Sequence, residues 1–179
     1  MKKIVVSYFV FVVCLGFLAF TLVPSDKYKV GEGFKIAFRS ADPSGNFEEM
    51  SGSIDFDKAN PEKSKFNLSI KVASIKTGNG MRDKKALTEE WFHAAKYPNI
   101  TFVSSSMVKT DNGYAISGTL SMKGVSKKIV IPCTMSDLGK KIVFKGNFSV
   151  NRLEYGVGKK SDVVPGVMKI KFEVPAVKV

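Results

Sequence analysis

Histidine is almost missing from this sequence, His93 being its single instance, and cysteine is scarce, limited to Cys14 and Cys133. One histidine and two distant cysteines supply no metal-ligand spacing, so zinc and haem sites have no ligand set and no cofactor is expected. Cys14 lies in an apolar run and Cys133 in an alternating strand pattern, so an internal disulfide is not expected either. An inward Cys133 reads as a small hydrophobe. No glycine-rich loop joins a strand to a helix as a phosphate cradle requires. Glu89 and Glu90 are neighbours, and adjacent positions on a helix point in different directions, which rules out a simple acid/base pair. With no catalytic constellation, the sequence is that of a binding protein rather than an enzyme.

What is present is bulk and positive charge. Of 179 residues, 14 are Phe, a supply that fills a core or lines a cavity. The formal net charge is +12, which favours anionic neighbours. The basic residues are scattered through alternating runs, whereas nucleic-acid arms bunch them, so nucleic acid is not an expected partner. At this length the chain forms one sizeable domain.

Residues 4–23 are almost continuously apolar after Lys2 and Lys3. Twenty residues at about 1.5 Å each span about 30 Å, enough to cross a bilayer. A cleaved signal peptide has the same basic start and apolar centre. However, the small-x-small cleavage pattern is missing: Ala19 has Phe17 two places before it. We expect a membrane anchor, with a cleaved signal as the alternative, over residues 1–24. A folded domain over 25–179 would then be exported to the periplasm or held on the outer face of the cytoplasmic membrane.

From Phe34 the apolar period is two. Phe34, Ile36 and Phe38 alternate with polar positions, then Met50 to Phe56, then Phe66, Leu68, Ile70 and Val72. The pattern resumes at Ile100 and Phe102. It continues through Tyr114 to Met122, Ile129 to Met135, Ile142 to Val150 and Met168 to Val174, where Pro175 is expected to limit pairing. About eight strands with one dry face follow from this spacing. Asp111-Asn112-Gly113 signals a hairpin, and short connections imply an antiparallel meander. A sandwich and a closed barrel both satisfy the pattern; Gly52, Gly118 and Gly146 on apolar-facing positions favour the barrel, relieving crowding or leaving room.

Residues 74–102 are the one long excursion. Thr88 reads as a helix N-cap, with Glu89 and Glu90 in the first turn and Trp91 and Phe92 packing the helix to the sheet. His93 reads as a surface or satisfied residue. The stretch is long enough to cover a barrel mouth.

Three blocks carry a resemblance: ASIKTGNGMRDKKALTEEWF with KYPNITF in the excursion, ISGTLSMKGVSKKIVIP at 116–132, and NRLEYGVG at 151–158. Together, over about residues 30–179, they are similar to the YceI-like polyisoprenoid-binding family. The resemblance implies an all-β, eight-stranded, antiparallel lipocalin-like barrel with one helical excursion, holding a long isoprenoid-type or similar apolar lipid. It departs from the family at the first strands, where many members carry a histidine and this chain has none.

On that reading the tail-lining candidates are Phe34, Phe38, Phe56, Phe66, Leu68, Ile70, Phe102, Ile116, Phe144, Phe148, Ile170 and Phe172. Core filling is the competing role for each. Head-group candidates are Arg82 and Asp83 in the excursion and Asn151 and Arg152 in the third block. Plain ion pairs, Arg82 with Asp83 and Arg152 with Glu154, are their alternative. A side-chain-filled barrel acting as an interaction domain, or an enzyme built on Arg82, Asp83, His93 and Asn151 at the mouth, are the other functional classes left open.

Overall fold

The structure, a computed structural model, describes residues 26–139 and 141–179. The expected anchor or signal segment lies outside the described residues. Alternating apolar positions give β1 (Asp26–Val30), β2 (Lys35–Arg39), β3 (Ser44–Phe47), β4 (Met50–Phe56), β5 (Lys65–Lys71) and β6 (Ile75–Lys76). After the helix α1 (Gly80–Ala86) come β7 (Asn99–Thr110), β8 (Gly113–Met122), β9 (Val125–Asp137), β10 (Lys141–Asn151) and β11 (Val167–Lys178). All pairings are antiparallel, and the order β1-β4-β5-β7-β8-β9-β10-β11 returns to β1, closing a barrel of eight strands.

The number of barrel strands matches the sequence expectation, but the ring closes through a different first strand. The run at Phe34–Phe38 gives β2, which pairs with the first half of β11 and carries β3 and β6 outside the ring. The ring is closed by β1, which bonds β4 on one side and the last residues of β11 on the other. Thus β1 and β2 lie end to end along β11. Pro175 sits at the break between them, and β11 runs through it to Lys178 instead of stopping there. The missing N–H of Pro175 falls where no strand faces it from that side, and its carbonyl accepts the Gly31 N–H at 2.8 Å.

Along β7 the inward face changes phase. Ile100, Phe102 and Ser104 are buried, then Met107, and the odd residue is absorbed by a bulge between Ser104 and Ser106. The buried Ser104 hydroxyl accepts the Phe66 N–H at 2.8 Å, so the bulge leaves that donor satisfied.

The two ends of the barrel differ. Where β1 joins β4, the interior is solid: Phe144 meets Phe56 and Phe66 edge-on at 5.6 and 5.1 Å, and Phe56 meets Tyr114 at 6.4 Å. Midway, rings occupy the space that glycines leave. A side chain at Gly118 would strike the Phe102 ring at 2.5 Å, and one at Gly146 the Phe172 ring at 2.7 Å. Those glycines make room for phenylalanine.

Toward the other end the wall loosens. Pairing of β9 with β10 runs from Ile142–Asp137 to Gly146–Cys133 and ends there. Pro132 follows, with no N–H to continue the ladder. Phe148 and Val150 on β10 and Ile129 on β9 are only partly buried, whereas Ile142 and Phe144 are fully so.

Candidate functional site

The excursion covers the loose end. Its helix is α1, seven residues long, and it begins earlier than Thr88. The Asn79 side chain accepts the N–H groups of Met81 and Arg82, satisfying two orphan donors of the first turn. Asp83 is pinned to the residue that follows β6: its carboxylate accepts the Thr77 hydroxyl at 2.7 Å and the Thr77 N–H at 2.8 Å. Those bonds, the hydroxyl first, hold the Asp83 carboxyl below the usual carboxylate range. Thr88 lies past the end of α1, where its hydroxyl donates back to the Lys85 carbonyl at 2.8 Å. Glu89 and Glu90 lie beyond the C-terminus of α1 and gain nothing from its dipole; the acid in its first turn is Asp83, and Lys84 and Lys85 occupy the last turn, where cations are favoured. Trp91 and Phe92 therefore sit in a succession of turns after α1, closed by Trp91 N–H to Thr88 and Phe92 N–H to Ala86 carbonyls at 3.0 Å.

A second segment, residues 156–166, closes over the same end, and Arg152 holds it. Its guanidinium is buried, 4 % exposed, and donates to the carbonyls of Val157, Lys159, Val164 and Pro165 at 2.6 to 3.0 Å. Burial draws its pKa below the ordinary arginine value. The Trp91 ring stacks on it at 5.0 Å. Lys123, in the β8–β9 turn, donates to the carbonyls of Glu90 and Gly156 and so joins both segments to the barrel. The Trp91 indole N–H is buried without an acceptor among the described residues.

Beneath this lid lies a cavity of about 290 Å³. Its wall is apolar: Phe38, Phe47, Ile75, Ile100, Met122, Val150, Met168 and Ile170 from the strands, with Ala86, Trp91 and Phe92 from the lid. Polar side chains gather at the rim, where Thr77, Arg82 and Lys85 on the excursion face Asp42 in the β2–β3 turn. Arg82 and Asp42 form a two-pronged ion pair, 2.8 and 3.2 Å, both about half exposed.

Of the expected tail-lining residues, Phe38 and Ile170 line this cavity. Phe56, Phe66, Phe102, Ile116 and Phe144 are buried outside it, and Leu68, Ile70, Phe148 and Phe172 pack against that core. Phe34 borders a separate, polar surface hollow beside Met50. Of the head-group candidates, Arg82 is at the rim, but it pairs with Asp42 and not with Asp83. Arg152 faces the cavity with its donors turned to carbonyls, and Glu154 pairs with Lys127 instead. Asn151 caps the one-turn helix Arg152–Tyr155 by accepting the Leu153 N–H. Of the four residues of the enzyme alternative only Arg82 lines the cavity: Asp83 bonds Thr77, His93 stacks edge-on against Tyr97 at 5.8 Å, and Asn151 is a cap. The sequence reading missed Asp42, Lys85 and the Val163–Val164 rim; Asp42 stands beside Pro43 in a turn, and Val163 and Val164 follow the third block with no pattern of their own.

The family model for the YceI-like domain matches residues 23–176. The chain belongs to the YceI-like family. Burkholderia cenocepacia BcnA has a similar structure, with a TM-score of 0.76 and 27% identity over 80% of this chain and 96% of that one. A UPF0312 protein of Photorhabdus laumondii is 34% identical over 96 residues, which are 54% of this chain and 50% of the relative, so the YceI-like chain matches about half the length of that curated relative. A polyisoprenoid binding domain from Saccharophagus degradans, described as implicated in plant cell wall breakdown, shares the fold: TM-score 0.62 and 14% identity over 88% of this chain and 97% of that one.

Proposed function

We propose that this YceI-like barrel is an exported, non-catalytic lipid-binding protein that takes an isoprenoid-type or similar apolar chain through its lidded end. One observation carries the reading: an apolar cavity whose exposed charged groups, Asp42, Arg82 and Lys85, stand at the rim, while the buried Arg152 gives its donors to backbone carbonyls. The polyisoprenoid binding described for the Saccharophagus domain of the same fold agrees with it. The basic, apolar start of the sequence supports export, as an anchor or a signal.

Tail contacts then narrow to the hollow end, with Phe38, Phe47, Ile100, Met122, Val150 and Ile170 as the wall. At about 30 Å³ per water-sized group, the space takes roughly ten heavy atoms, or about two isoprene units. Each buried methylene contributes about 0.8 kcal/mol, so a five-carbon unit supplies about 4 kcal/mol as an upper bound. Ordering costs reduce that figure. A longer chain leaves its remainder outside, because the ring cluster of Phe56, Phe66 and Phe144 fills the far end. At the rim, Arg82 can exchange Asp42 for an anionic head group, and Lys85 adds a second positive charge.

The test is extraction of the purified protein followed by mass spectrometry, with displacement of a fluorescent lipid by prenyl alcohols and prenyl phosphates of increasing length. Affinity should climb over the first units and then level off. A protein that carries no lipid and from which no prenyl compound displaces the probe overturns the reading.

A further inference from the structure

We infer that the rim of the cavity is a docking face for an anionic lipid bilayer, a proposal that rests on the lipid-chain reading above. Three segments form the rim: the β2–β3 turn with Asp42 and Pro43, helix α1 with Arg82 and Lys85, and the 156–166 loop with Val163 and Val164. Two of them end in apolar side chains that point away from any core. Met81 on α1 is 79% exposed and Val163 is 71% exposed. Side chains that project beside a cavity mouth suit shallow entry into the interfacial zone of a membrane.

The charges beside these two tips have the sign that such a surface selects. Lys84 and Lys85 follow Met81 on α1, and Lys159 and Lys160 precede Val163 in the loop. None of the four takes part in an ion pair among the described residues. On the same segments, Asp83 is bonded to Thr77 and Asp42 to Arg82, which leaves Asp162 as the acid to set against them. Lysines next to a membrane are drawn to anionic lipid within a Debye length. A polyanion such as nucleic acid would use the lysines but leave Met81 and Val163 in water. A bilayer uses both. Docking this face lets a chain pass between bilayer and cavity without its tail crossing water, which would otherwise expose every methylene.

The opposite end provides the control. Leu138, in the β9–β10 turn beside the filled end, is 65% exposed and is also apolar, and Asp26 begins β1 at that end. Hydrophobic exposure alone would let Leu138 report contact as readily as Met81.

The test uses the full chain with Cys14→Ser, carried in neutral phosphatidylcholine nanodiscs that accommodate the N-terminal apolar run. A single Met81→Cys or Leu138→Cys bears an environment-sensitive dye; Cys133 stays unlabelled because it is buried and its thiol pKa is pushed up to about 12. Vesicles with or without phosphatidylglycerol, carrying a lipid-borne quencher, are then added. The expected result is a blue shift and quenching at Met81 with anionic vesicles only, and no change at Leu138. Replacing Lys84, Lys159 and Lys160 by Ser should weaken vesicle binding at least about tenfold while displacement of the fluorescent lipid is unaltered. A Met81 dye that ignores anionic vesicles, a Leu138 dye that responds equally, or a Met81 shift reproduced by inorganic phosphate alone overturns the docking face. Loss of lipid displacement with docking intact would instead overturn the lipid-chain reading.

Discussion

The guanidinium of Arg152 lies 5.0 Å from the centre of the Trp91 ring, so the residue that gathers the 156–166 loop also bears the turn that follows α1. Two lid segments far apart in sequence are stacked on one buried cation. Replacing Arg152 by Met keeps the ring contact but leaves four carbonyls without their donor. Calorimetry should show a loss of about 2–4 kcal/mol. Arg152→Lys retains the charge but cannot fork to several carbonyls at once, and should fall between. Because Trp91 is the sole tryptophan in the chain, its emission should move to the red in Arg152→Met.

The Arg82–Asp42 pair behaves differently, because both side chains are about half in water. An exposed pair contributes about 0–1 kcal/mol, so removing either partner should barely alter the melting temperature. Their effects on ligand should have opposite signs. Asp42→Ala releases Arg82 and should tighten binding of a prenyl phosphate several-fold. Arg82→Ala should weaken it by about tenfold, a charged hydrogen bond being worth about 1.5–3 kcal/mol. Neither change should alter binding of the corresponding prenyl alcohol by more than twofold or so. Titration of the fluorescent-lipid displacement checks all of these, and equal effects on phosphate and alcohol would remove Arg82 from the head-group role.

The two ends of the barrel can be separated by a pair of substitutions. Val150→Phe puts a ring into the hollow end and should abolish displacement of the probe with little effect on stability, since the space is already there. Phe144→Ala empties the ring cluster at the filled end, where Phe144 is 2 % exposed, and should cost about 3–5 kcal/mol. The remaining folded protein should still bind chain. The converse outcome would relocate the ligand to the filled end.

Strand number, antiparallel order and the covering role of the excursion were legible because the long strands alternate over most of their length, β7 shifting phase only at its bulge. What escaped was short or out of phase. The first barrel strand, β1, has only Tyr28 and Val30 to show a period, and β3 and β6 have four and two residues. Ser104 and Met107 face inward on opposite parities, a pattern that only a bulge explains. The twelve inward candidates share one sequence pattern, yet Phe56 and Phe38 have different fates, because period two reports the face and carries no information about depth along the barrel. The Arg82–Asp42 pair joins residues 40 apart and could not be read from spacing. Arg152, by contrast, stands in a recognisable motif, but its role depends on carbonyls of a loop with no pattern of its own.

Hydrogen exchange should map the end of the β9–β10 ladder. Amides of residues 133–137 and 142–146 lie in that paired region, whereas beyond Gly146–Cys133 the two strands no longer bond each other. Those amides of residues 127–131 and 147–151 that face the seam should exchange faster, at native pH, than their counterparts at the filled end. Amides on the other side of the same strands, bonded to β8 and β11, should stay protected. A continuous protected ladder from 125 to 137 on both sides would contradict the seam.

Acid should loosen the protein in a defined order of causes. Asp57 and Asp83 both titrate below the usual carboxylate value of 3.8. The Asn60 backbone N–H leads the causes at Asp57, and the Thr77 hydroxyl leads at Asp83. A carboxyl depressed in the folded state stabilises that state above its unfolded pKa, and the stabilisation is lost as pH falls through the folded pKa. Stability should therefore be flat near neutrality and decline below about pH 4. Asp83→Asn should remove the part of that decline seen by Trp91 emission, because Asp83 ties α1 to Thr77 beside the lid. Asp57→Asn should instead flatten the acid limb of the far-UV signal, because Asp57 organises the β4–β5 connection at the filled end. If the two variants flatten both signals alike, lid and barrel unfold as one unit and the local assignment of Asp83 fails.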